Sequence, residues 1–486
     1  MNMHRAVTDA HFDSSESTGV GSHRVAFWVA GATLTLFLCG ASAPSPLYAI
    51  YQTKFGFSTT VLTAIFAVYA VAVLAAVLPA GELSDQVGRR PVIVFGLGLQ
   101  MVATALFLVA NDVPLLFAAR VLQGISVGVV IGALSALLVD LQDRGSALGP
   151  LVASVASPLG LAIGALLGGV LVEFAASPLR TVYWVLLALF ALAVLAVLAL
   201  VPETRSRRPG QRLALGFEVR LPVRARSPFL ALTPGLIAIW ALAGLYLSLG
   251  PSLTASLLGD RSIVVGALVP TTLFGATAVA SVLTRGWTAR LAVVGGSLLV
   301  ALGVAITIVG ISGRSALPLF LGSGVAGLGF GAAFAGSFRT LTPLAQPNER
   351  ASLIAALYLV CYSAFSVPAV IAGIAVTHYG LRDTAVVYAG VVIVLALTAA
   401  LASELRLSAT TRLETSAVTA TADGRRTIRP QQADGHRTIR PQQFEDPEGA
   451  EKPSAGGIGL SPVAHNPSEV EAAADHRLVH RADPTR

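Results

Sequence analysis

The segment Gly81-Glu-Leu-Ser-Asp-Gln-Val-Gly-Arg-Arg-Pro91 separates two long runs of the chain, 55–81 and 91–111, that contain no Lys, Arg, Asp or Glu. An α-helix rises about 1.5 Å per residue, so roughly 20 apolar residues cross a hydrocarbon core about 30 Å thick. Each run therefore predicts one membrane-spanning helix. The charged segment predicts the loop between the second and third helices.

Charge-free runs of this length recur along the whole body of the chain. Twelve of them follow one another: 25–53, 55–81, 91–111, 121–139, 145–172, 181–202, 227–259, 262–284, 291–313, 315–338, 351–381 and 384–403. Lipid favours helices over strands because a helix satisfies its own backbone groups. We therefore predict an all-α membrane protein with twelve transmembrane helices, bent at prolines such as Pro44, Pro46, Pro158 and Pro368.

The composition excludes an ordinary soluble protein. The chain is 54% hydrophobic and 12% charged, against about 25% charged residues in an average soluble domain. Its two cysteines, Cys39 and Cys361, lie in apolar runs and cannot form a disulfide framework. We expect them to be buried free thiols.

The basic residues predict the orientation in the membrane. With the N-terminus inside, the interior segments before the tail hold 16 Lys and Arg residues and the exterior segments hold five. Cytoplasmic loops are enriched in Lys and Arg, so both termini are predicted to be cytoplasmic. The first 23 residues are polar, which predicts a cytoplasmic lead and no cleaved signal peptide. The expected location is the plasma (inner) membrane.

The order of runs and polar segments predicts five regions. They are a cytoplasmic lead (1–24), a six-helix bundle (25–202), a basic linker (203–226), a second six-helix bundle (227–403) and a disordered cytoplasmic tail (404–486). The tail contains an 11-residue tandem repeat at 423–433 and 434–444, too polar to bury a core. Positive-inside charge already explains the basic linker, so no nucleic-acid partner is expected.

The string Gly81-Glu-Leu-Ser-Asp-Gln-Val-Gly-Arg-Arg resembles the loop signature of the major facilitator superfamily, G-x-L-[AS]-D-x-x-G-R-[RK]. The residues that carry this resemblance, and form the predicted gating motif between the bundles, are Gly81, Asp85, Gly88, Arg89 and Arg90. Asp85 and Arg89 are four residues apart and can pair on one face of a short helical turn. A solvated positive-inside loop would explain the arginines but not Asp85 framed by glycines.

A second string, Arg120-Val-Leu-Gln123-Gly124, is similar to the family signature R-x-x-x-G in the fourth helix. One interpretation is an arginine that anchors the helix at the outer interface by extending its side chain toward water. The other is a buried arginine that faces the cavity, because a buried charge is costly; in this superfamily such a residue is implicated in coupling or in contact with an anion. Gln123 would share its face.

The fifth helix carries Gly160, Gly164, Gly168 and Gly169, and this pattern resembles the antiporter signature G-x-x-x-G-P-x-x-G-G. Ala165 stands where the family usually has proline, and generic packing through small residues remains an alternative. The loop at 285–290 keeps basic charge but lacks the aspartate of the first motif. Sugar porters usually keep both copies, so the resemblance is strongest to the twelve-helix drug/proton antiporter group.

The resemblance implies two bundles that rock around a central site lined by the first, fourth, seventh and tenth helices. The polar and aromatic residues on these helices are Ser42, Ser45, Tyr48, Arg120, Gln123, Trp240, Tyr246, Phe330 and Phe334. Each one taken alone fits packing or the membrane interface better than ligand contact, but together they predict an amphipathic pocket. No acid lies in the middle of a run, which favours a neutral or anionic organic substrate. Proton coupling would then use an acid at a span end, such as Asp140 or Glu173.

A gate is predicted on the cytoplasmic face when the outside is open. Asp85 would meet the N-terminal end of the eleventh helix near Ala351 and Ser352, while Arg89 or Arg90 approaches Glu349. These contacts would hold the two bundles together.

The sequence therefore predicts a secondary active transporter that exports amphipathic neutral or anionic compounds in exchange for protons. Uptake of a sugar or metabolite, or a non-transporting membrane sensor or scaffold, are the alternatives. An enzyme is not expected, because the chain has no metal-ligand spacing, no paired acids within a span and no nucleophile motif. No cofactor and no metal are expected. The expected partners are a small-molecule substrate, protons and the lipid bilayer, and the expected state is a monomer.

Overall fold

A computed structural model describes residues 13–204, 221–259, 262–346 and 349–426. Its α-helices are α1 Asp13–Ser42, α2 Tyr48–Phe55, α3 Thr59–Val87, α4 Arg89–Val109, α5 Val113–Leu141, α6 Leu148–Phe174, α7 Pro178–Leu200, α8 Val223–Ser248, α9 Gly250–Leu258, α10 Ile263–Leu283, α11 Ala289–Gly313, α12 Ala316–Leu341, α13 Arg350–Tyr379 and α14 Leu381–Arg426. Three short 3-10 turns lie at Ser45–Leu47, Thr284–Gly286 and Thr342–Leu344. The described residues contain no strand.

Twelve helical segments within the described residues are long and apolar enough to cross a membrane. The first combines α1 and α2 as His23–Phe55, and α9 follows the seventh as a short separate helix. The predicted all-α membrane fold with twelve transmembrane helices is confirmed. We call α1–α7 the N-half and α8–α14 the C-half.

The region boundaries differ from the prediction at both ends of the chain. Helix α1 begins at Asp13, inside the predicted lead 1–24, and α14 continues to Arg426, past the predicted end of the body at 403. The helical architecture described here, as far as Ala420, belongs to the unit Met1–Ala420. Most of the basic linker and the tandem repeat lie outside the described residues, so the predictions made for them stay predictions.

The first and seventh spans, expected as single helices over 25–53 and 227–259, are broken. The first breaks between Ser42 and Tyr48, around Pro44 and Pro46, and the seventh breaks between Ser248 and Gly250, just before Pro251. Proline has no N–H to donate to the preceding turn, which is the physical reason for a break. Pro158 and Pro368, by contrast, lie inside uninterrupted helices.

The two halves meet mainly along two helix pairs. Helix α3 packs against α13, and α6 packs against α10. Within the halves, the largest contacts are α11 with α12 and α3 with α5. This arrangement places the second and eleventh spans, and the fifth and eighth spans, side by side at the boundary between the bundles.

Candidate functional sites

The predicted gating motif lies at a sharp junction between two helices. Asp85 is in the last turn of α3 and Arg89 is the first residue of α4, so the motif is not the loop that the sequence suggested. Gly88 alone separates the helices, with φ 112° and ψ 152°. The positive φ requires glycine, and a Cβ there would also lie 2.7 Å from Glu203 Oε2 and displace that carboxylate. Gly81 lies within α3.

Arg89 is the centre of a charge cluster at the end of the molecule predicted to face the cytoplasm, which we call the inner end. It is 6% exposed and forms an ion pair of 2.8 Å with Asp85, as the four-residue spacing predicted. Its Nε donates to Asp140 Oδ2 at 3.3 Å, and its Nη1 donates to Ser84 Oγ at 2.7 Å. The arginine thus ties the start of α4 to the ends of α3 and α5.

Glu203 completes this cluster, and sequence reasoning missed its role. Its two carboxylate oxygens accept hydrogen bonds from the backbone N–H groups of Arg89, at 2.9 Å, and Arg90, at 3.1 Å. A carboxylate is favourable at a helix N-terminus because the first N–H groups lack partners within the helix. The available signal in the sequence was a lone acid directly after the charge-free run 181–202.

Among the described contacts, neither Arg89 nor Arg90 shows the predicted pairing with Glu349. Within the described residues, the hydrogen bonds and ion pairs of Arg89 and Arg90 stay in the N-half, where Arg90 Nη2 donates to the carbonyl of Leu198. Glu349 instead accepts from the backbone N–H of Gln346 at 3.1 Å. The gate was expected when the outside is open, and that expectation stays a prediction.

Arg120 lies in the interior of the N-half. It is 1% exposed, so it does not reach the outer interface as a snorkelling anchor would. Its Nε donates to Tyr48 Oη at 2.7 Å, and its Nη1 donates to the carbonyl of Ala41 at 2.8 Å and to Gln123 Oε1 at 2.7 Å. The shared face of Arg120 and Gln123 is therefore confirmed.

Four aromatic rings surround the same guanidinium. Its carbon lies 4.9 to 5.7 Å from the ring centroids of Tyr48, Phe66, Tyr69 and Phe107. Cation–π attraction compensates part of the cost of burying the charge. The Nη2 atom has no hydrogen-bond partner among the described residues. Arg120 is a buried cation held by aromatic rings and neutral oxygens.

The glycines of the fifth span pack helices closely. A Cβ at Gly160, Gly164 or Gly168 would lie less than 3.0 Å from a backbone oxygen of the first span, and one at Gly169 would lie 2.6 Å from Ala267 Cβ on α10. Helix α6 runs without interruption through Ala165. These contacts favour the packing interpretation, with Gly169 at the boundary between the halves.

Five aromatic residues form a cluster on the C-half: Trp240 of α8, Phe330 and Phe334 of α12, and Tyr362 and Phe365 of α13. The Trp240 ring centroid lies 5.2 Å from that of Tyr362 and 5.9 Å from that of Phe334. The indole Nε1 is buried and has no hydrogen-bond partner among the described residues. The sequence predicted three members; it missed Tyr362 and Phe365 because the eleventh span was not assigned to the cavity.

The remaining predicted pocket residues lie elsewhere. Tyr246 Oη shares a hydrogen bond of 3.3 Å with Thr307 Oγ1, inside the C-half and away from the aromatic cluster. Ser42 Oγ donates to the carbonyl of Leu38 in its own helix. Ser45 Oγ donates to the carbonyl of Leu247 across the halves. Tyr69 lies over Arg120 and interacts with Tyr362, so the aromatic cluster and the Arg120 network adjoin. The single amphipathic pocket stays a prediction.

Both acids proposed for proton coupling are engaged. Asp140 pairs with Arg89 at the inner end. Glu173 Oε2, at the opposite, outer end, accepts from Ser262 Oγ at 2.7 Å and from the backbone N–H of Val264 at 2.8 Å, so it joins α6 to the start of α10. Among the described residues, the buried charged side chains are Arg89 and Arg120. Cys39 and Cys361 are free and buried, as predicted.

Comparison with known proteins identifies the family. The family model described as Major Facilitator Superfamily matches residues 30–367, which is more than half of the chain. The chain belongs to the Major Facilitator Superfamily. The predicted family is thus confirmed.

Curated relatives of this superfamily member are uncharacterised transporters. An MFS-type transporter of Schizosaccharomyces pombe is 38% identical over 146 residues, which are 28% of this chain and 32% of the relative. A transporter of Rickettsia bellii is 31% identical over 179 residues, which are 36% of this chain and 42% of the relative. The chain spans less than half of the length of these relatives.

Solved structures of other superfamily members share the fold. The human organic anion transporter MFSD10 (TETRAN) gives a TM-score of 0.59 at 19% identity, covering 78% of this chain and 99% of that one. A bacterial homologue of the human lysosomal transporter Spinster, inward-facing and unoccupied, gives 0.64 at 16% identity, covering 80% and 98%. At such identities the likeness shows the major facilitator fold alone.

Proposed function

We propose that this major facilitator protein is a secondary active transporter that exports amphipathic neutral or anionic organic compounds in exchange for protons. The observation that carries the proposal is the aromatic cluster around Trp240, which combines apolar ring surface with one unpartnered indole N–H. Small-molecule sites are largely apolar and hold a few polar groups that orient the ligand. A planar apolar molecule that carries a hydrogen-bond acceptor suits this cluster.

The buried charges support the choice of substrate charge. Arg89 and Arg120 are the buried charged side chains in the described part of the chain. A compact organic cation would need a buried carboxylate as its partner, so a neutral or anionic compound is favoured. The solved structures that share the fold include one named as an organic anion transporter and one named as a nucleoside transporter.

The contacts between the halves support alternating access. At the outer end, Ser45 donates to Leu247 and Glu173 accepts from Ser262 and Val264, while Arg89 and Arg90 at the inner end pair within the N-half. Nearer the inner end, Ser281 Oγ donates to the carbonyl of Ser154 at 3.3 Å, so the hydrogen bonds between the halves are more numerous at the outer end but are not confined to it. Such an uneven distribution suits two halves that separate at one end. In the proposed cycle the gating motif at Gly88 would join the inner end, and Asp140 or Glu173 would carry the proton. We further propose a monomer in the plasma (inner) membrane with both termini cytoplasmic.

Flux in reconstituted vesicles tests the proposal. Fluorescent aromatic compounds that differ in charge are loaded into the vesicles, and their flux is measured with and without an imposed pH gradient. We expect flux of neutral and anionic members, stimulated by the gradient. Flux of cations alone, or no effect of the gradient, would contradict the substrate charge or the coupling. Flux of sugars alone would favour the uptake alternative, and no flux of any kind would favour a sensor.

A pair of tryptophan variants links the flux to the cluster. Trp240→Phe keeps an aromatic ring and removes the N–H donor, so we expect weaker flux of substrates that carry an acceptor. Trp184→Phe is the matched control, because Trp184 is 60% exposed on the outside of the helix bundle. Equal losses in the two variants would refute the role of Trp240.

A further inference from the structure

Two prolines release a backbone carbonyl in corresponding spans of the two halves. In an α-helix the carbonyl of residue i accepts from the N–H of residue i+4. Pro44 lies four residues after Gly40, and Pro251 lies four residues after Leu247. Since proline has no N–H, the carbonyls of Gly40 and Leu247 lose their helical donors at the breaks in the first and seventh spans.

Side chains from elsewhere donate to both carbonyls. Gln123 Nε2 donates to the carbonyl of Gly40 at 2.9 Å, and Ser45 Oγ donates to the carbonyl of Leu247. Gln123 is 1% exposed and Ser45 is 3% exposed. A buried carbonyl without a donor is costly, and both donors lie where water has little access.

The origin of the two donors differs. Gln123 is on α5 and belongs to the same half as Gly40, so the break in the first span is satisfied within the N-half. Ser45 belongs to the N-half, whereas Leu247 belongs to the C-half. The Ser45 bond therefore forms only while the halves touch at the outer end.

We propose that Ser45 and Gln123 are positioning residues of the transport cycle. Ser45 stabilises the outer-closed conformation by satisfying the carbonyl that Pro251 releases. Gln123 acts through Ser45, because it holds the break at Pro44 that places the neighbouring Ser45 against Leu247. The inference uses the alternating access of the proposed function but not its substrate or coupling ion.

A double-mutant cycle tests the Ser45 bond. Spin labels at Lys54→Cys and Ala255→Cys, both exposed positions near the two breaks, report the distance between the halves without substrate. Ser45→Ala should raise the ratio of outer-open to outer-closed molecules about threefold, the scale of one interhelical hydrogen bond in a membrane. Pro251→Ala returns an N–H to position 251, so in that background Ser45→Ala should have little effect. An equal shift in both backgrounds would overturn the inference.

A parallel cycle tests Gln123. Gln123→Leu should shift the population in the native background and much less with Pro44→Ala, which restores the N–H for Gly40. Additive effects would overturn the indirect role of Gln123.

Two control variants accompany these cycles. Ser45→Thr retains a hydroxyl donor and should behave as native, and Ser42→Ala, whose hydroxyl bonds its own helix, should not change the distances. If Pro251→Ala does not fold, native distances in Ser45→Ala refute the proposal. Because the distances are measured without substrate, a failed flux panel would refute the proposed substrate and leave this inference standing.

Discussion

Two glycines of α5, one helical turn apart, predict opposite effects on stability when each is replaced by alanine. Gly124, Gly128 and Gly132 recur every fourth residue along this helix. A Cβ at Gly124 would lie 2.5 Å from the backbone oxygen of Tyr69, and one at Gly128 would lie 2.6 Å from that of Val73, both on α3. A Cβ at Gly132 meets nothing within 4 Å. The first two glycines bring α3 and α5 together, and the third does not.

The magnitude follows from these distances. Ordinary Cβ contacts lie at 3.4 to 4 Å, so Gly128→Ala forces a backbone oxygen to move by most of an ångström. Overpacking of this kind costs about 1–3 kcal/mol, and the better helix propensity of alanine returns up to about 1 kcal/mol. We expect Gly128→Ala to destabilise the protein by about 1–2 kcal/mol. Gly132→Ala should stabilise it by about 0.5–1 kcal/mol, because only the propensity term remains.

The native cysteines provide the assay. Cys39 is 3% exposed and Cys361 is fully buried, so a thiol-reactive fluorogenic dye reports their exposure as the detergent-solubilised protein is heated. Gly132→Ala should melt at or above the native temperature and Gly128→Ala several degrees below it. If Gly128→Ala melts as high as Gly132→Ala, the close contact between α3 and α5 is not what the glycine provides, and the reasoning fails.

Two further predictions concern buried polar groups. Gln100 is fully buried, and neither atom of its amide has a hydrogen-bond partner among the described residues. Gln100→Leu should therefore raise the melting temperature, because it removes about 1–3 kcal/mol of desolvation cost. A lower melting temperature would show that the amide has a partner such as bound water. Arg89→Ala should lower the free energy of unfolding by about 2 kcal/mol, because it leaves Asp140 and Asp85 without their cation. Arg290→Ala should lower it by less, because the pair with Glu404 is exposed. Equal melting temperatures for the two variants would contradict this difference.

The gating motif shows how far local spacing carries a prediction. The ion pair between Asp85 and Arg89 was predicted from their i, i+4 spacing, and it is present in the structure. The helical boundaries around it did not follow, because the hydrophobic run ends before the helix does. Residues after 81 continue α3 to Val87, where Gly88 ends it. Polar residues at the inner end can stay helical because water solvates them.

The candidate site was predicted in part. Trp240, Phe330 and Phe334 were found as aromatic residues on cavity helices, and they do cluster. Tyr246 was grouped with them on the same criterion but faces Thr307 inside its own half. Position along a span fixes the depth of a side chain in the membrane. The direction in which the side chain points depends on how the helix is rotated against its neighbours.

The sequence by itself determined the all-α class and the twelve spans, and its charge pattern predicts the orientation. These features depend on local properties of each segment. Its hydrophobic length must match the thickness of the bilayer, and the Lys and Arg residues beside it set its orientation. Only the tertiary structure decided the donors for the carbonyls of Gly40 and Leu247, the position of Glu203 at the start of α4, and the contacts of Trp240 with Tyr362 and Phe365. Each of these contacts joins residues far apart in the chain. Helix packing sets which of them meet, and apolar runs of similar composition do not encode that choice in their local pattern.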